Sequence, residues 1–191
     1  MGKLGDVIAI NERSITKKYQ HETIEYIDIS SVNNGHLEST TAISLKDSPS
    51  RAKRLVKNGD TIWSTVRPNR RSYLFISNPK DNLVVSTGFA VLTPKRVPPS
   101  FLYTWVTSDQ FIDYLVSNSD GSAYPAVLPE RFAEAEILIP PSHILGEFEA
   151  IVGLLLARVN HNEEESRTLA SLRDTLLPKL MRGEVRVRTA D

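Results

Sequence analysis

The residues of this sequence that could perform chemistry are cations and amides rather than nucleophiles or metal ligands. Eight lysines and arginines lie between residues 46 and 71, against only two carboxylates, Asp47 and Asp60. The cations are Lys46, Arg51, Lys53, Arg54, Lys57, Arg67, Arg70 and Arg71. The local field governs the capture of a polyanion better than the net charge, which is zero for the whole chain. The pattern therefore predicts a segment that binds nucleic acid.

Two kinds of contact are predicted in this region. Arginine reads guanine and asparagine reads adenine through paired hydrogen bonds, and a loop after a predicted strand carries four such side chains. They are Arg67, Asn69, Arg70 and Arg71. Arg51, Lys53 and Arg54 are predicted to contact phosphates, which supply affinity without sequence information. For any single cation, the alternative is a solvated surface residue.

Four polar residues outside the cluster are further candidates for DNA contact. They are Ser86, Thr87, Ser122 and Tyr124. The first two belong to a predicted hairpin turn, and their alternative role is only to turn the chain. The other two belong to a loop rich in glycine, serine and proline, which is polar enough to enter a groove.

Catalytic and metal chemistry have no comparable pattern. Cysteine is absent, which excludes disulfides, thiolate zinc sites and cysteine nucleophiles. The histidines at positions 21, 36, 143 and 161 are scattered and predict no metal cluster. Asp109, Asp113 and Asp120 could suggest a nuclease, but ordinary surface acids explain them better. The Asn-Pro-Pro-Tyr type of tetrapeptide found in DNA methyltransferases is absent. We therefore expect no metal, no cofactor and no catalysis on this chain.

The composition indicates an ordinary soluble protein with one domain, or one domain and an appendage. The chain has 191 residues, of which 40% are hydrophobic and 24% are charged. No apolar run approaches the roughly 20 residues that a membrane span needs. The first residues carry no signal-peptide core, so the cytoplasm is the expected compartment.

Strand signals dominate residues 1–141, which are expected to form the DNA-binding domain. Apolar and polar residues alternate from Ile24 to Ile29, and β-branched and aromatic residues crowd the run from Thr61 to Val66. Further strands are predicted at residues 73–76, 83–85, 89–92 and 135–139. One amphipathic helix is predicted between Pro98 and Asn118. This mixture predicts an α+β fold with a mostly antiparallel or mixed sheet.

Three smaller signals complete the interpretation of this domain. Asn33-Asn34-Gly35 is a strong turn signal after the first long strand. The basic run 51–57 is predicted to be a turn or a single helical turn. Trp63 and Trp105 are expected in the core rather than stacked on bases.

The last quarter of the sequence predicts one long helix from about Ser142 to Leu177. Ser142 follows Pro140 and Pro141 and is the predicted N-cap. Mostly apolar residues recur at alternating spacings of four and three, which is a heptad-like seam with a polar middle. The seam comprises Phe148, Val152, Leu155, Val159, Asn162, Ser166, Leu169, Leu172 and Leu176.

A helix of this length spans roughly 50 Å and is poorly stable alone. No second helix of that length is predicted in the chain. Residues 142–191 are therefore expected to form a spacer and a short tail, and the spacer is expected to pair with a second copy of the chain. The alternative is that the helix folds back along its own domain.

Several segments occur in an order and spacing that resemble one family. They are Leu4-Gly5-Asp6-Val7, the run from Lys57 to Arg67, the run from Ser86 to Leu92, the run from Ile137 to Pro141 and the closing run from Leu176 to Glu184. The family is the DNA specificity subunits of type I restriction-modification systems. The resemblance covers essentially the whole chain, as one target-recognition domain and one long helix.

Two features depart from the family pattern. Residues 143–148 stand where many members carry a Glu-Gln pair, and the chain has about half the usual length. Members usually hold two recognition domains and two antiparallel long helices. The resemblance therefore implies a half-subunit that restores this arrangement as a homodimer. Two-fold symmetry would then give an inverted-repeat target with an unread spacer.

The resemblance implies a non-catalytic subunit that recognises double-stranded DNA. It would direct partner methyltransferase subunits, and indirectly the restriction subunit, to a bipartite site. Three alternatives remain open: a stand-alone dimeric DNA-binding regulator, a small nuclease, and a coiled-coil scaffold with an inert domain.

Overall fold

The computed structural model describes residues 1–121 and 125–185 and confirms the α+β class. The chain divides into two compact units, Met1–Gly153 and the part from Leu154 onward, and each is described by itself. The first compact unit therefore includes every residue up to Gly153. The assignment of residues 1–141 to DNA recognition and of 142–191 to spacing remains a prediction about function.

The described residues of the first unit contain twelve short strands. In chain order they are β1 (Gly2–Lys3), β2 (Ile8–Ile10), β3 (Thr23–Ile27), β4 (Val32–Asn33), β5 (His36–Leu37), β6 (Thr41–Ser44), β7 (Ala52–Leu55), β8 (Thr61–Ser64), β9 (Tyr73–Phe75), β10 (Leu83–Ser86), β11 (Phe89–Pro94) and β12 (Glu136–Ile137).

Two four-stranded sheets hold most of these strands. In the first sheet, ordered β6-β3-β10-β7, β3 and β10 are parallel and the other pairs are antiparallel. In the second sheet, ordered β2-β11-β8-β9, all pairs are antiparallel. The pairs β1–β12 and β4–β5 form smaller antiparallel sheets. The predicted mixed, mostly antiparallel arrangement is confirmed.

Successive residues of the central strands face opposite sides, so the second sheet contributes to two apolar layers. Ile62 of β8 packs with Val85 of β10 in the layer between the two sheets. Its neighbour Trp63 is fully buried in the other layer, and its indole Nε1–H donates to the Val106 carbonyl at 2.8 Å. Trp105 packs against that layer and is partly buried. Both tryptophans therefore belong to the core, as predicted.

Helices cover the outer face of the second sheet. They are α1 (Pro99–Val106), α2 (Asp109–Ser117) and α3 (Pro129–Glu134). The prediction of one helix between Pro98 and Asn118 is wrong, because the chain breaks at Thr107 and Ser108. The Ser108 hydroxyl accepts a hydrogen bond from the Phe111 N–H at 3.3 Å and so caps a new helix.

The prediction of a turn for the basic run 51–57 is also wrong. Ala52–Leu55 is β7, an edge strand that pairs antiparallel with β10. Ala52 is buried while Lys53 is exposed. Cations are common on edge strands because they discourage pairing with other chains. The density of charge concealed the strand period in the sequence.

Helical backbone runs from Ser142 to Met181, which confirms the long helix. It begins with α4 (Ser142–Phe148) and a π-helical turn (Glu149–Gly153), both in the first unit. The N-cap residue is Pro141, so the prediction of Ser142 as the cap is wrong by one residue.

The second unit contains α5 (Leu154–Met181), which continues past the predicted end at Leu177. Pro178 lies in the last turn, where its missing N–H removes only one intrahelical hydrogen bond. Within the described residues, no helix combines the length and the apolar character needed to cross a membrane.

Candidate nucleic-acid interface

Strand register places an end of the first large sheet beside an end of the second. This happens at each of the two opposite ends of the domain. Phe89 pairs with Ser64 in the second sheet, Ser86 pairs with Ala52 in the first, and the turn at Thr87 joins the two. Segments that extend beyond these residues therefore emerge at the same end. We name this end the Arg67 edge, and it comprises Asp28–Ser31, Arg51, Thr65–Arg71 and Thr87.

The other ends of the same strands form a second surface. We name it the Asp60 edge, and it comprises Lys46, Lys57–Asp60, Lys80 and Lys95. Lys46 follows β6 in a 3-10 turn, and Lys57 precedes β8. These two predicted DNA contacts therefore lie away from the Arg67 edge.

The structure separates the predicted cation cluster into three places. Lys53 and Arg54 lie within β7, between the two edges. Arg54 is half-buried, and this burial lowers the pKa of its guanidinium. The predicted contacts that share the Arg67 edge are Arg51, Arg67, Asn69, Arg70, Arg71 and Thr87.

A strained turn presents the loop residues of the Arg67 edge. Pro68–Arg70 forms a 3-10 turn between Arg67 and Arg71, whose φ angles of 51° and 56° lie in the left-handed region. The Arg67 N–H donates to the Pro125 carbonyl at 2.7 Å, which fixes the entry to the turn. Asn69 and Arg70 are exposed at its tip. Such strain is maintained only where neighbours over-determine the conformation, and it is frequent at functional sites.

Two carboxylates at this edge hold arginines in defined positions. Asp109 at the start of α2 pairs with Arg71 at 2.6 Å, and both side chains remain largely exposed. Asp28 lies 3.4 Å from the Arg51 guanidinium. The Arg51 carbonyl in turn accepts the Thr87 N–H at 2.8 Å. The pairs leave guanidinium groups at the surface with restricted orientations.

The environment of Asp28 favours its charged form. Partial burial opposes ionisation, but hydrogen bonds from the Ser30 N–H and the Tyr26 hydroxyl, together with the Arg51 charge, outweigh it. The pKa of Asp28 is therefore lowered. An ionised Asp28 is a constant partner for Arg51 at neutral pH.

The turn residues predicted between β10 and β11 differ in exposure. Thr87 is exposed at the Arg67 edge, whereas Ser86 is fully buried and its hydroxyl accepts the Gly88 N–H at 3.3 Å. Ser86 therefore supports the turn and does not present its side chain to a ligand. Ser122 and Tyr124 lie outside the described residues.

At the Asp60 edge, one carboxylate is buried and shared. Asp60 is completely buried and accepts hydrogen bonds from the Lys57 N–H and the Thr93 hydroxyl, both at 2.8 Å. The guanidinium of Arg13 lies 3.8 Å away. Burial raises the pKa of Asp60 despite these partners. Its role is to hold the turn before β8 against β11.

The pairing of Asp28 and Asp109 with arginines is not predicted by the sequence. From the sequence, Asp109 is expected to be an ordinary surface acid. Its position becomes informative only when the fold places the start of α2 beside the turn. Among the described residues, no group of three or more His, Asp or Glu side chains is arranged to hold a metal ion.

The predicted dimerisation residues fall on two units. Phe148 and Val152 belong to the first unit, where both are partly buried. The seam residues of α5 are Leu155, Val159, Asn162, Ser166, Leu169, Leu172 and Leu176. Within this set the apolar side chains are 43 to 61% exposed. The described chain thus leaves a row of leucines and a valine in contact with solvent.

Comparison with known proteins identifies related sequences. Residues 1–150 match the model for the type I restriction modification DNA specificity domain. The chain is 27% identical over 180 residues to the HindI specificity subunit of Haemophilus influenzae, covering 91% of this chain and 38% of the relative. It is also 34% identical over 73 residues to the MjaIX specificity subunit of Methanocaldococcus jannaschii, covering 38% of this chain and 17% of that relative.

Solved structures of chains from type I restriction-modification systems share the fold. The HsdS subunit from Thermoanaerobacter tengcongensis matches 99% of this chain with a TM-score of 0.67 and 29% identity. A chain from a study of complex assembly and conformational transition in a type I restriction-modification system matches 99% with a TM-score of 0.69 and 27% identity. This chain spans 50% of each of them. The S subunit from M. genitalium, at 16% identity and a TM-score of 0.59, is similar in fold.

Proposed function

The chain belongs to the family of type I restriction-modification DNA specificity domains, and on that basis we propose that it selects a DNA sequence for such a system. The observation that carries the proposal is the Arg67 edge, where arginines and an amide gather on a turn at one end of both sheets. The chain would direct methyltransferase subunits, and indirectly a restriction subunit, to its target.

Within this edge, we assign different roles to different side chains. Arg51 and Arg71 are held by carboxylates, so their guanidinium groups suit phosphate contacts that set the register on the duplex. Asn69 and Arg70 are exposed at the tip of the turn, which suits bidentate contacts with adenine and guanine. Thr87 is exposed at the same edge, and its hydroxyl suits a contact with the DNA phosphate backbone.

We assign no catalytic step to this chain. The side chains proposed to contact DNA are cations, an amide and a hydroxyl, which bind a polyanion, and the two carboxylates at this edge, Asp28 and Asp109, are paired with arginines. Methylation and cleavage would be performed by partner subunits in the cytoplasm, and the chain itself would need no cofactor.

Methylation mapping tests the proposal directly. The chain is co-expressed with methyltransferase subunits in a host whose DNA lacks the modification, and methylated positions are identified by sequencing. A defined motif is expected with the wild-type chain, and a changed or lost motif with Arg70→Ala. A stable complex that confers no methylation would contradict the proposal. Selective DNA binding without any complex would favour a stand-alone regulator.

A second copy of the chain is the proposed partner of α5. The seam leucines are exposed in a single chain, and burying one such side chain contributes about 1.5–3 kcal/mol. The chain also covers half the length of its solved relatives, so two copies would match one relative in size. Two domains related by two-fold symmetry would read an inverted repeat.

Sedimentation tests this assembly. Wild-type chain is expected at about twice 21.4 kDa, and Leu155→Glu with Leu169→Glu is expected at the monomer mass. Ala157→Glu is the matched control, because it adds a charge on the face of α5 opposite Leu155. A wild-type monomer at micromolar concentration would contradict the homodimer.

A further inference from the structure

The hairpin formed by β4 and β5 lies across the Arg67 edge. At its base, the Glu38 N–H donates to the Ser31 carbonyl at 2.9 Å. At its tip, the Asn34 N–H donates to the Arg71 carbonyl at 2.9 Å. The hairpin therefore extends from the end of the first sheet to the turn that carries Asn69 and Arg70.

The tip of this hairpin is fixed rather than free. Asn34 and Gly35 have φ angles of 45° and 82°, which suits a tight two-residue hairpin turn. The Gly35 N–H donates to the Tyr73 carbonyl at 2.9 Å, and the Tyr73 hydroxyl donates to the Asn34 amide oxygen at 2.7 Å. The φ angle of Gly35 disfavours any other residue there, and a Cβ would also lie 2.8 Å from the Tyr103 hydroxyl. Hydrogen bonds with Arg71 and Tyr73 thus hold the tip in place.

The two faces of the hairpin differ in character. Val32 is 2% exposed in the apolar layer between the sheets, and Leu37, its cross-strand partner, packs against the same layer. Successive residues of a strand face opposite sides. Asn33 and His36 are the other cross-strand pair, and both are exposed. The outward face therefore presents an amide beside an imidazole.

We propose that the β4–β5 hairpin is a second base-reading element, which enters the major groove with Asn33 and His36 towards the bases. The inference rests on the proposed function and adds contacts that the loop residues 67–71 do not provide. A major groove about 12 Å wide admits a two-stranded ribbon, and an asparagine amide pairs with adenine through two hydrogen bonds. Residues 32–37 contain no carboxylate that would repel phosphates.

Selection from randomised duplexes tests this element. Full-length chain, with its methyltransferase partner, is compared with Asn33→Ala, His36→Ala and Arg70→Ala. Each hairpin variant is expected to lose preference at one or two base pairs by about fivefold to a hundredfold. Those positions should differ from the ones altered by Arg70→Ala. His21→Ala is the matched control, since His21 is an exposed histidine preceding β3 at the opposite end of the first sheet.

A second substitution at Asn33 tests whether its side chain contacts the base directly. Asn33→Asp keeps the shape of the side chain but removes its donors, so a preference for adenine should disappear or shift towards cytosine. Unfolding curves of the variants are measured as well, and a lost preference counts for the inference only in a variant that remains folded under the conditions of the selection. Wild-type selectivity retained in Asn33→Ala, Asn33→Asp and His36→Ala would overturn the inference and leave the proposed function standing. A wild-type chain with no selectivity would overturn the proposed function as well.

Discussion

The Arg67 edge and the Asp60 edge lie at opposite ends of the same two sheets, and their carboxylates have different roles. At the Asp60 edge the central carboxylate is fully buried and serves the fold. At the Arg67 edge the carboxylates Asp28 and Asp109 lie near the surface and hold arginines that remain exposed. Cations near each other in sequence therefore need not form one binding surface. Their role depends on which end of a strand they occupy.

The largest expected contrast between the edges concerns DNA affinity. A triple substitution of Arg51, Arg70 and Arg71 to alanine should weaken binding about a hundredfold, as three charge-assisted contacts are lost. The slope of log affinity against log salt should fall by about two units, because Arg51 and Arg71 are the two proposed phosphate contacts in this set. Fluorescence anisotropy between about 50 and about 200 mM salt measures both.

The matched control removes three cations from the other edge. Replacing Lys46, Lys57 and Lys80 with alanine should change affinity by less than about threefold, because only long-range field is lost. Equal losses in the two triple variants would mean that DNA contacts both ends of the sheets, and the distinction between the edges would be abandoned.

A second contrast concerns stability. Asp60→Ala should lower the free energy of unfolding by about 1–3 kcal/mol, because the Lys57 N–H and the Thr93 hydroxyl would lose a buried acceptor. Urea unfolding measures the change. Thr93→Val is the companion variant. It removes the hydroxyl donor, while Asp60 keeps the hydrogen bond from the Lys57 N–H. A neutral Asp60→Ala would show that the buried carboxylate is not what maintains this edge.

Local sequence patterns predicted much of the fold. The strand from Thr61 onward was recognisable because β-branched and aromatic residues crowd it, and in the structure all four residues of β8 are buried. The turn at Asn34 and Gly35 was equally clear. By contrast, β7 was mistaken for a turn because its cations hide the alternation. Its strand character depends on pairing with β10, which no local pattern reveals.

The candidate site was predictable only as a set of residue types. Arg67 to Arg71 stood out as a basic loop, but the sequence did not separate these residues from Lys46 and Lys57. That separation depends on strand register, which joins residues distant along the chain. The partnership of Arg71 with Asp109 was hidden for the same reason, since the two residues are 38 positions apart in the sequence.

A smaller effect is expected when Asp109 is replaced. Asp109→Ala should change the free energy of unfolding by less than about 1 kcal/mol, because the ion pair with Arg71 is exposed. DNA affinity should rise by a factor of about two to five, because a negative charge that repels the phosphates is removed. It should stay level if Arg71, once released from the ion pair, binds DNA less well and offsets this gain. Glu134→Ala is the matched control, since it breaks a comparable surface pair with Arg131. A large loss of affinity would mean that Asp109 is required to position Arg71.

The smallest effect separates the edges by the sign of their pH dependence. The pKa of Asp28 is lowered, so its contribution to stability is present above the unfolded pKa of about 3.9 and is lost as pH falls through the folded value. The pKa of Asp60 is raised, so its contribution is present below that unfolded value and is lost as pH rises through the folded one. Urea unfolding from about pH 3 to about pH 8 should therefore give difference curves of opposite slope for Asp28→Asn and Asp60→Asn, each measured against wild type.

For the partly exposed Asp28 the change in the free energy of unfolding should stay under about 1 kcal/mol. The slopes matter more than the offsets, because an asparagine at position 60 also alters hydrogen bonds at every pH. Parallel slopes would mean that the two carboxylates share one electrostatic environment, and the contrast between a buried structural carboxylate and a surface arginine partner would fail.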